Sequence, residues 1–233
     1  MSKNTALIVS AGNGLRMETE KPKQYICLGD RPILAHTVKV FQDSKRIDDI
    51  VLVVTEERKD YVLREIVEKY GFSKVTDIVT GGSARCESVY NGLKACRDTD
   101  YVLIHDGVRP FADEEMIRHG LETAGVFGNA ICGVPTNDTV RIANFVGQVE
   151  ETPMRDCVWL VQTPQVFSYP VIREAYDMLF NDGEAVADLS VITDDGMVLE
   201  RAGGAVHMIR GSYRNIKITT PEDLQTAEAF LLK

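Results

Sequence analysis

The stretch Ala6–Tyr25, ALIVSAGNGLRMETEKPKQY, holds the residues whose types and spacing most directly suggest chemistry. Ala6-Leu7-Ile8-Val9 is an apolar run too short for a free-standing helix and of the right length for a buried strand. The turn that follows, Ser10-Ala11-Gly12-Asn13-Gly14, has two glycines, so backbone N–H groups can approach a ligand with no Cβ in the way. Successive N–H groups in such a turn form a concavity that binds anions. Arg16 and Lys23 add full positive charge within a few residues. A strand, a small-residue loop and two cations together read as a cradle for a polyphosphate. The loop has no third glycine of a dinucleotide fingerprint and no Gly-Lys-Ser/Thr of a P-loop. Taken alone it also fits an ordinary strand-to-loop turn.

Three later stretches carry further candidates. Gly81-Gly82-Ser83-Ala84-Arg85-Cys86-Glu87-Ser88 ends one strand and opens a helix. Arg85 and Ser88, three apart, can face one ligand; the alternative is a glycine turn with Arg85 solvated. His105-Asp106-Gly107-Val108-Arg109 follows the buried run Tyr101–Ile104. An Asp at the carboxyl end of a strand suits Mg2+, which prefers carboxylate and phosphate oxygens, and Arg109 can fork onto a phosphate. His105 reads as structural. Lys217 lies in the otherwise apolar Ile216-Lys217-Ile218, where its charge costs desolvation unless an anion meets it.

The elements that must position these residues alternate. Strands are expected at 49–54, 75–79, 100–104, 130–134 and 205–209, and at 215–219 aimed back at the core. Helices are expected at 33–41, 56–70, 169–180 and 188–193, with Asp194-Asp195-Gly196 turning the chain. Asp113 should cap the helix that begins at Glu114, and Thr220, Pro221 and Asp223 should open the last helix. Strand–helix alternation argues a parallel sheet with helices on its faces. From Pro135 the pattern changes: residues 136–142 and 149–152 flank a turn at Asn144–Gly147 and predict a hairpin arm. A two-stranded arm is marginal alone, so a second copy of the chain is its expected partner, with Arg155 at the arm base able to reach a neighbouring site.

Bulk properties narrow the functions. The 233 residues, 44% hydrophobic, suffice for one large domain. A net charge of -9 disfavours nucleic acid and anionic membrane as partners. Five cysteines with no Cys-x-x-Cys pair argue against a zinc site or a disulfide framework and fit reduced thiols in the cytoplasm. The N-terminus has no signal-peptide pattern, and no run approaches a membrane span.

The motifs AGNGLRM, PKQY, GGSARCESV, HDGVRPF, TPQVF, TDDG and NIKITTPEDL run through nearly the whole chain in order. In them the chain resembles the cytidylyltransferases that make CDP-methylerythritol from CTP and 2-C-methyl-D-erythritol 4-phosphate in the non-mevalonate isoprenoid pathway. The resemblance implies a Rossmann-like α/β fold of the nucleotidyltransferase type, one domain over 1–233, with 136–158 as a dimerisation arm. It implies that Ala11, Gly12, Asn13 and Gly14 hold the CTP triphosphate and that Arg16 and Lys23 stabilise charge at the α-phosphate. Gly82, Ser83, Ser88 and Gly107 would complete the CTP site. Asp106, Arg109, Thr139, Arg155, Thr163, Thr193 and Lys217 would surround the polyol phosphate. Arg155 would come from the partner subunit, and Asp106 would hold Mg2+. Arg155 and Lys217, with Arg16 and Lys23, are the expected catalytic set.

Ribitol 5-phosphate cytidylyltransferases share most of these motifs, and Arg155-Asp156 resembles that branch. TDDG and GSYRNIKITTPEDL favour methylerythritol phosphate. Relatives often place an Asp where this chain has Ser212-Tyr213-Arg214. A hexose-1-phosphate nucleotidyltransferase is disfavoured by HDGVRPF and NIKIT. A nucleotide-binding module without catalysis is disfavoured by intact Arg16, Lys23, Asp106 and Lys217.

Overall fold

The structure, a computed structural model, describes residues 2–12, 22–181 and 188–232. Its strands are β1 (Asn4–Val9), β2 (Cys27–Leu28), β3 (Arg31–Pro32), β4 (Asp49–Val54), β5 (Val75–Thr80), β6 (Tyr101–Asp106), β7 (Asn129–Pro135), β8 (Ile142–Ala143), β9 (Val149–Glu151), β10 (Trp159–Ser168) and β11 (Met208–Arg210). Its helices are α1 (Ile33–Asp43), α2 (Lys59–Val62), α3 (Arg85–Ala95), α4 (Glu114–Phe127), α5 (Tyr169–Asn181), α6 (Asp195–Arg201) and α7 (Pro221–Leu231). Seven strands form one sheet in the order β11-β7-β10-β6-β1-β4-β5. β10 runs antiparallel to both its neighbours, and every other pairing in the sheet is parallel.

The apolar run predicted at Ala6–Val9 becomes β1, between β4 and β6. Side chains alternate across a strand, so Ala6 and Ile8 pack with Leu34, Val38 and Phe41 of α1 on one face. Leu7 packs with Val89 and Leu93 of α3 on the other. Burial of this kind stabilises the fold by roughly 1.5–3 kcal/mol for each large apolar side chain. A third, smaller cluster of Leu28, Ile33, Val108, Ile218 and Ala227 anchors α7 against the body.

Both predicted caps form. Asp113 accepts a hydrogen bond from the Met116 N–H. Thr220 and Asp223 make a reciprocal capping box with Pro221 in the first turn. Thr220→Ala is expected to lower stability by about 1 kcal/mol, read as a shift in the urea midpoint with an unchanged slope.

Four expectations are corrected. Residues 215–219 pair with no strand; Ile218 N–H donates to Val108 O at 3.0 Å, Asn215 Nδ2 donates to Thr163 O at 2.7 Å, and Asn215 O accepts from Arg109, and these bonds tie the segment down. Residues 188–193 hold only a short turn at Leu189–Val191, because Asp194 caps a real helix, α6, where a turn was expected. The last strand is Met208–Arg210, later than predicted. Where the sequence predicts no element, β10 is a full sheet strand, although Pro164 lacks an N–H for the ladder; the register shifts between Val161 and Gln165 and absorbs it.

The predicted helix at 56–70 is continuous but irregular, a 3-10 turn at Glu56–Arg58, then α2, then a π-turn at Leu63–Glu68. The hairpin forms as β8 and β9, and Phe145 and Val146 at its tip are fully or almost fully exposed.

Candidate active site

β1, β5 and β6 end on the same side of the sheet, and their carboxyl ends open into a cleft, as ligand sites in parallel sheets do. The cleft has two adjoining cavities, of about 580 and 480 Å3. The first is lined by Ala11, Gly12, Lys23, Gly82, Ser83 and Ser88, among others. The second is lined by Arg109, Thr163, Thr193 and Gln165, among others. Arg85, Asp106 and Lys217 line both. They form the seam between the two spaces.

Asp106 occupies the last position of β6, opposite Val9 of β1. Three cations converge on its carboxylate: Lys217 Nζ at 3.0 Å, Arg109 Nε at 3.3 Å and Arg85 Nε at 3.4 Å. Burial alone would raise the pKa of Asp106, but Arg85, Lys217 and Arg109 outweigh it and hold the carboxyl well below its usual range. Asp106 is therefore an anion at every working pH. Lys217 reaches it because residues 216–218 alternate. Ile216 and Ile218 pack into the third apolar cluster, and Lys217 projects the other way.

His105, beneath Asp106, is fully buried, and desolvation pushes it down to about 4, so it is neutral near pH 7. Its Nε2 lies 3.0 Å from Arg109 O, which can only accept, so Nε2 carries the proton. Nδ1 then accepts from Thr163 Oγ1 at 3.0 Å, and that oxygen accepts the Asp106 N–H at 3.1 Å. The expected structural role of His105 is visible in this bracing of Thr163 and Arg109.

Several expected ligand groups are already committed within the protein. Ser88 Oγ accepts the Gly82 N–H at 2.9 Å and donates to Ala84 O, so it shapes the loop. Ser83 gives both its N–H and its hydroxyl to Glu87, at 2.7 Å each. A Cβ on Gly81 would sit 2.4 Å from Ala11 Cβ, so glycine lets this loop close against the first one. Thr163 lines its cavity, but its hydroxyl is turned to the Asp106 backbone. Gly107 is packed under the cavities, where a Cβ would meet Ser10 at 2.9 Å, and its carbonyl accepts from Thr37. Thr193 is exposed at the second cavity. Asn13, Gly14 and Arg16 lie outside the described residues. Thr139 and Arg155 are exposed on the arm and line neither cavity of their own chain.

A network that the sequence reading did not assemble lies behind Arg85. Its guanidinium forks onto Asp195 at 3.0 and 2.8 Å, and Tyr176 donates to the same carboxylate at 2.6 Å. Burial disfavours the Arg85 charge, but Asp195 and Asp106 more than restore it, and its pKa lies well above the usual value. The solvated alternative for Arg85 is thereby excluded. The available signal was Asp194 as a helix cap, which would have turned Asp195 inward.

Among the described residues no group of three His, Cys, Asp or Glu side chains stands ready for a metal. Mg2+ needs less: one or two carboxylates, with phosphate and water oxygens completing the shell. Asp106 fits that requirement as an ionised donor facing both cavities, held by contacts of 3.0–3.4 Å that leave lone pairs open. Among the described residues no helix is long and apolar enough to cross a membrane.

The family model described as IspD: 2-C-methyl-D-erythritol 4-phosphate cytidylyltransferase matches residues 5–233. A protein of that name from Alkaliphilus oremlandii is 47% identical over 232 residues, 99% of this chain and 96% of its own. One from Clostridium acetobutylicum is 45% identical over 230 residues, 99% of this chain and 98% of its own. The crystal structure of 4-diphosphocytidyl-2C-methyl-D-erythritol synthase from Anaerococcus prevotii superposes with a TM-score of 0.84 at 35% identity, covering 100% of this chain and 97% of that one.

Proposed function

From the premise that the chain belongs to the 2-C-methyl-D-erythritol 4-phosphate cytidylyltransferase family, we propose how its two cavities divide the reaction. The protein condenses CTP with 2-C-methyl-D-erythritol 4-phosphate and releases pyrophosphate. The first cavity takes CTP. Ala11, Gly12 and Lys23 meet the triphosphate together with Asn13, Gly14 and Arg16, and Gly82 and Ser83, their N–H groups held by Ser88 and Glu87, wall the nucleoside side of the cavity. The second cavity takes the polyol phosphate, with Arg109, Thr193 and Lys217 around it.

A 4-phosphate oxygen attacks the α-phosphorus in line, and a new P–O bond forms. The bond from that phosphorus to the bridging oxygen breaks, and its electron pair leaves with pyrophosphate. The nucleophile is already an anion near neutral pH, so no general base is required. The task is to bring two polyanions together, and fixed cations and orientation accomplish it. The observation that carries this reading is the seam: Arg85, Asp106 and Lys217 belong to both linings, so the reacting phosphates meet there. When bound at Asp106, Mg2+ supplies charge neutralisation on phosphate oxygens.

Pyrophosphate release measured with CTP, UTP and ATP, each against methylerythritol phosphate and ribitol 5-phosphate, tests the reading. Turnover is expected with CTP and methylerythritol phosphate. No pyrophosphate from that pair, or a clear preference for ribitol phosphate, overturns it.

The chain is further read as a cytoplasmic homodimer joined through the 136–158 arm. Its buried free thiols Cys86, Cys96 and Cys132 suit a reducing compartment. Phe145, Val146 and Met154 on the arm and Leu160 and Val161 at its base are exposed apolar side chains that a second copy would cover. Arg155 then enters the partner's second cavity. Arg155→Ala and Lys217→Met chains, each nearly inactive alone, are expected to complement when mixed. About a quarter of wild-type activity should return, because half of randomly paired dimers are mixed and each has one intact site. No recovery in subunits shown to exchange would place Arg155 outside the neighbouring site.

A further inference from the structure

Asp195 carries no exposed surface, and nothing in the reaction as described touches it. It is nevertheless held in place on both its backbone and its carboxylate. Its own N–H and that of Gly196 both donate to Gln165 Oε1 at 3.0 Å, while Gln165 Nε2 donates to Asp194 Oδ2 at 2.9 Å. Asp194 in turn caps α6 through the Met197 N–H. The start of α6 is thus clamped to β10. From α5, the fully buried Tyr176 presents its hydroxyl to Asp195, and its ring stacks within the Tyr90–Phe180 group.

Arg85 is shared between two carboxylates on unequal terms. The fork to Asp195 is short and bidentate, and the contact to Asp106 is a single one at 3.4 Å. Bidentate pairs hold direction as well as charge. Asp195 therefore keeps Arg85 from collapsing onto Asp106. Freed from Asp195, the guanidinium has Asp106 as its remaining charged partner, and a fork there would occupy oxygens that face both cavities.

We propose that Asp195, oriented by Tyr176, is a positioning residue for cytidylyl transfer: it draws Arg85 back so that Arg85 does not fork onto Asp106 and displace its pairing with Lys217 at the seam. This rests on the two-cavity reading above. Asp195 touches neither substrate and acts through Arg85. Its effect belongs to the arrangement of the reacting groups and so falls on kcat more than on either KM.

The full-length protein carrying Tyr176→Phe, Asp195→Asn or Arg85→Met, singly and with the last two combined, is assayed by pyrophosphate release alongside thermal unfolding. Tyr176→Phe keeps the stacked ring and removes one hydrogen bond to a charged group; at least a fivefold fall in kcat is expected, of the order such bonds support. Asp195→Asn should lower kcat further, with both KM values within about threefold of wild type, as befits loss of an interaction realised in the transition state. In the Arg85→Met background, Asp195→Asn should cost no additional kcat. Wild-type kcat in folded Tyr176→Phe protein, with only the unfolding temperature lowered, overturns the proposal, as does an undiminished Asp195→Asn effect without Arg85. Full activity in Lys217→Met would instead overturn the site itself.

Discussion

Lys217→Met is expected to lower kcat/KM by about 10^2 to 10^3, roughly 3–4 kcal/mol, the range seen when one preorganised charge-stabilising donor is removed. Two observations set the size. Lys217 lines both cavities, so its charge acts where the phosphates meet. It also sits 3.0 Å from Asp106, the shortest of the three cation contacts there. The fold should hardly notice. Methionine keeps the stem, the neighbouring Ile216 and Ile218 retain their packing, and Asp106 keeps Arg85 and Arg109. Steady-state kinetics with a urea melt separate the two effects. A large loss of stability, or a loss of activity under threefold, would remove Lys217 from the transfer.

Asp195→Ala acts on the fold. Removing one member of a buried ion pair leaves the other charge without compensation and typically costs 3–5 kcal/mol. Here the lower end, about 3 kcal/mol, is expected. Arg85 keeps Asp106 as a second partner, and somewhat over a fifth of its side chain remains exposed. Tyr176 also loses its acceptor, which burial makes costly. The check is a double-mutant cycle with Arg85→Met. The double variant should be more stable than the two single losses add up to. Strict additivity would mean that the pair contributes nothing of its own.

The parallel core and both helix caps were legible because each rests on local pattern: Ala6–Val9 as an apolar run, Asp113 before an acidic first turn, Thr220-Pro221-x-Asp223 as a box. The cavity residues were legible through glycine loops and cations at strand ends. What was missed depends on contacts across long sequence separation. Asp195 reads as part of a turn until Arg85, 110 residues earlier, is brought against it. β10 was hidden because Pro164 interrupts its pattern, and the bulge that rescues the strand leaves no mark in composition. Thr163 and Ser88 carry the polar atoms a ligand would want, but only coordinates reveal that the backbone has already claimed them.

β10 has a consequence for how this chain can drift. It leaves the base of the arm at Trp159 and passes between β6 and β7, delivering Gln162, Thr163 and Gln165 in turn to the Ser212 loop, the Asp106 backbone and the start of α6. Insertions at the exposed tip between Asn144 and Gln148 change only the reach of the arm. One residue added after Pro164 would exchange the two buried faces along the rest of the strand, turning Gln165 away from the start of α6 and pushing Val166 and Phe167 each towards the apolar cluster on the opposite face. Length variation should therefore accumulate at the far end of the arm and stop abruptly where the arm meets the sheet.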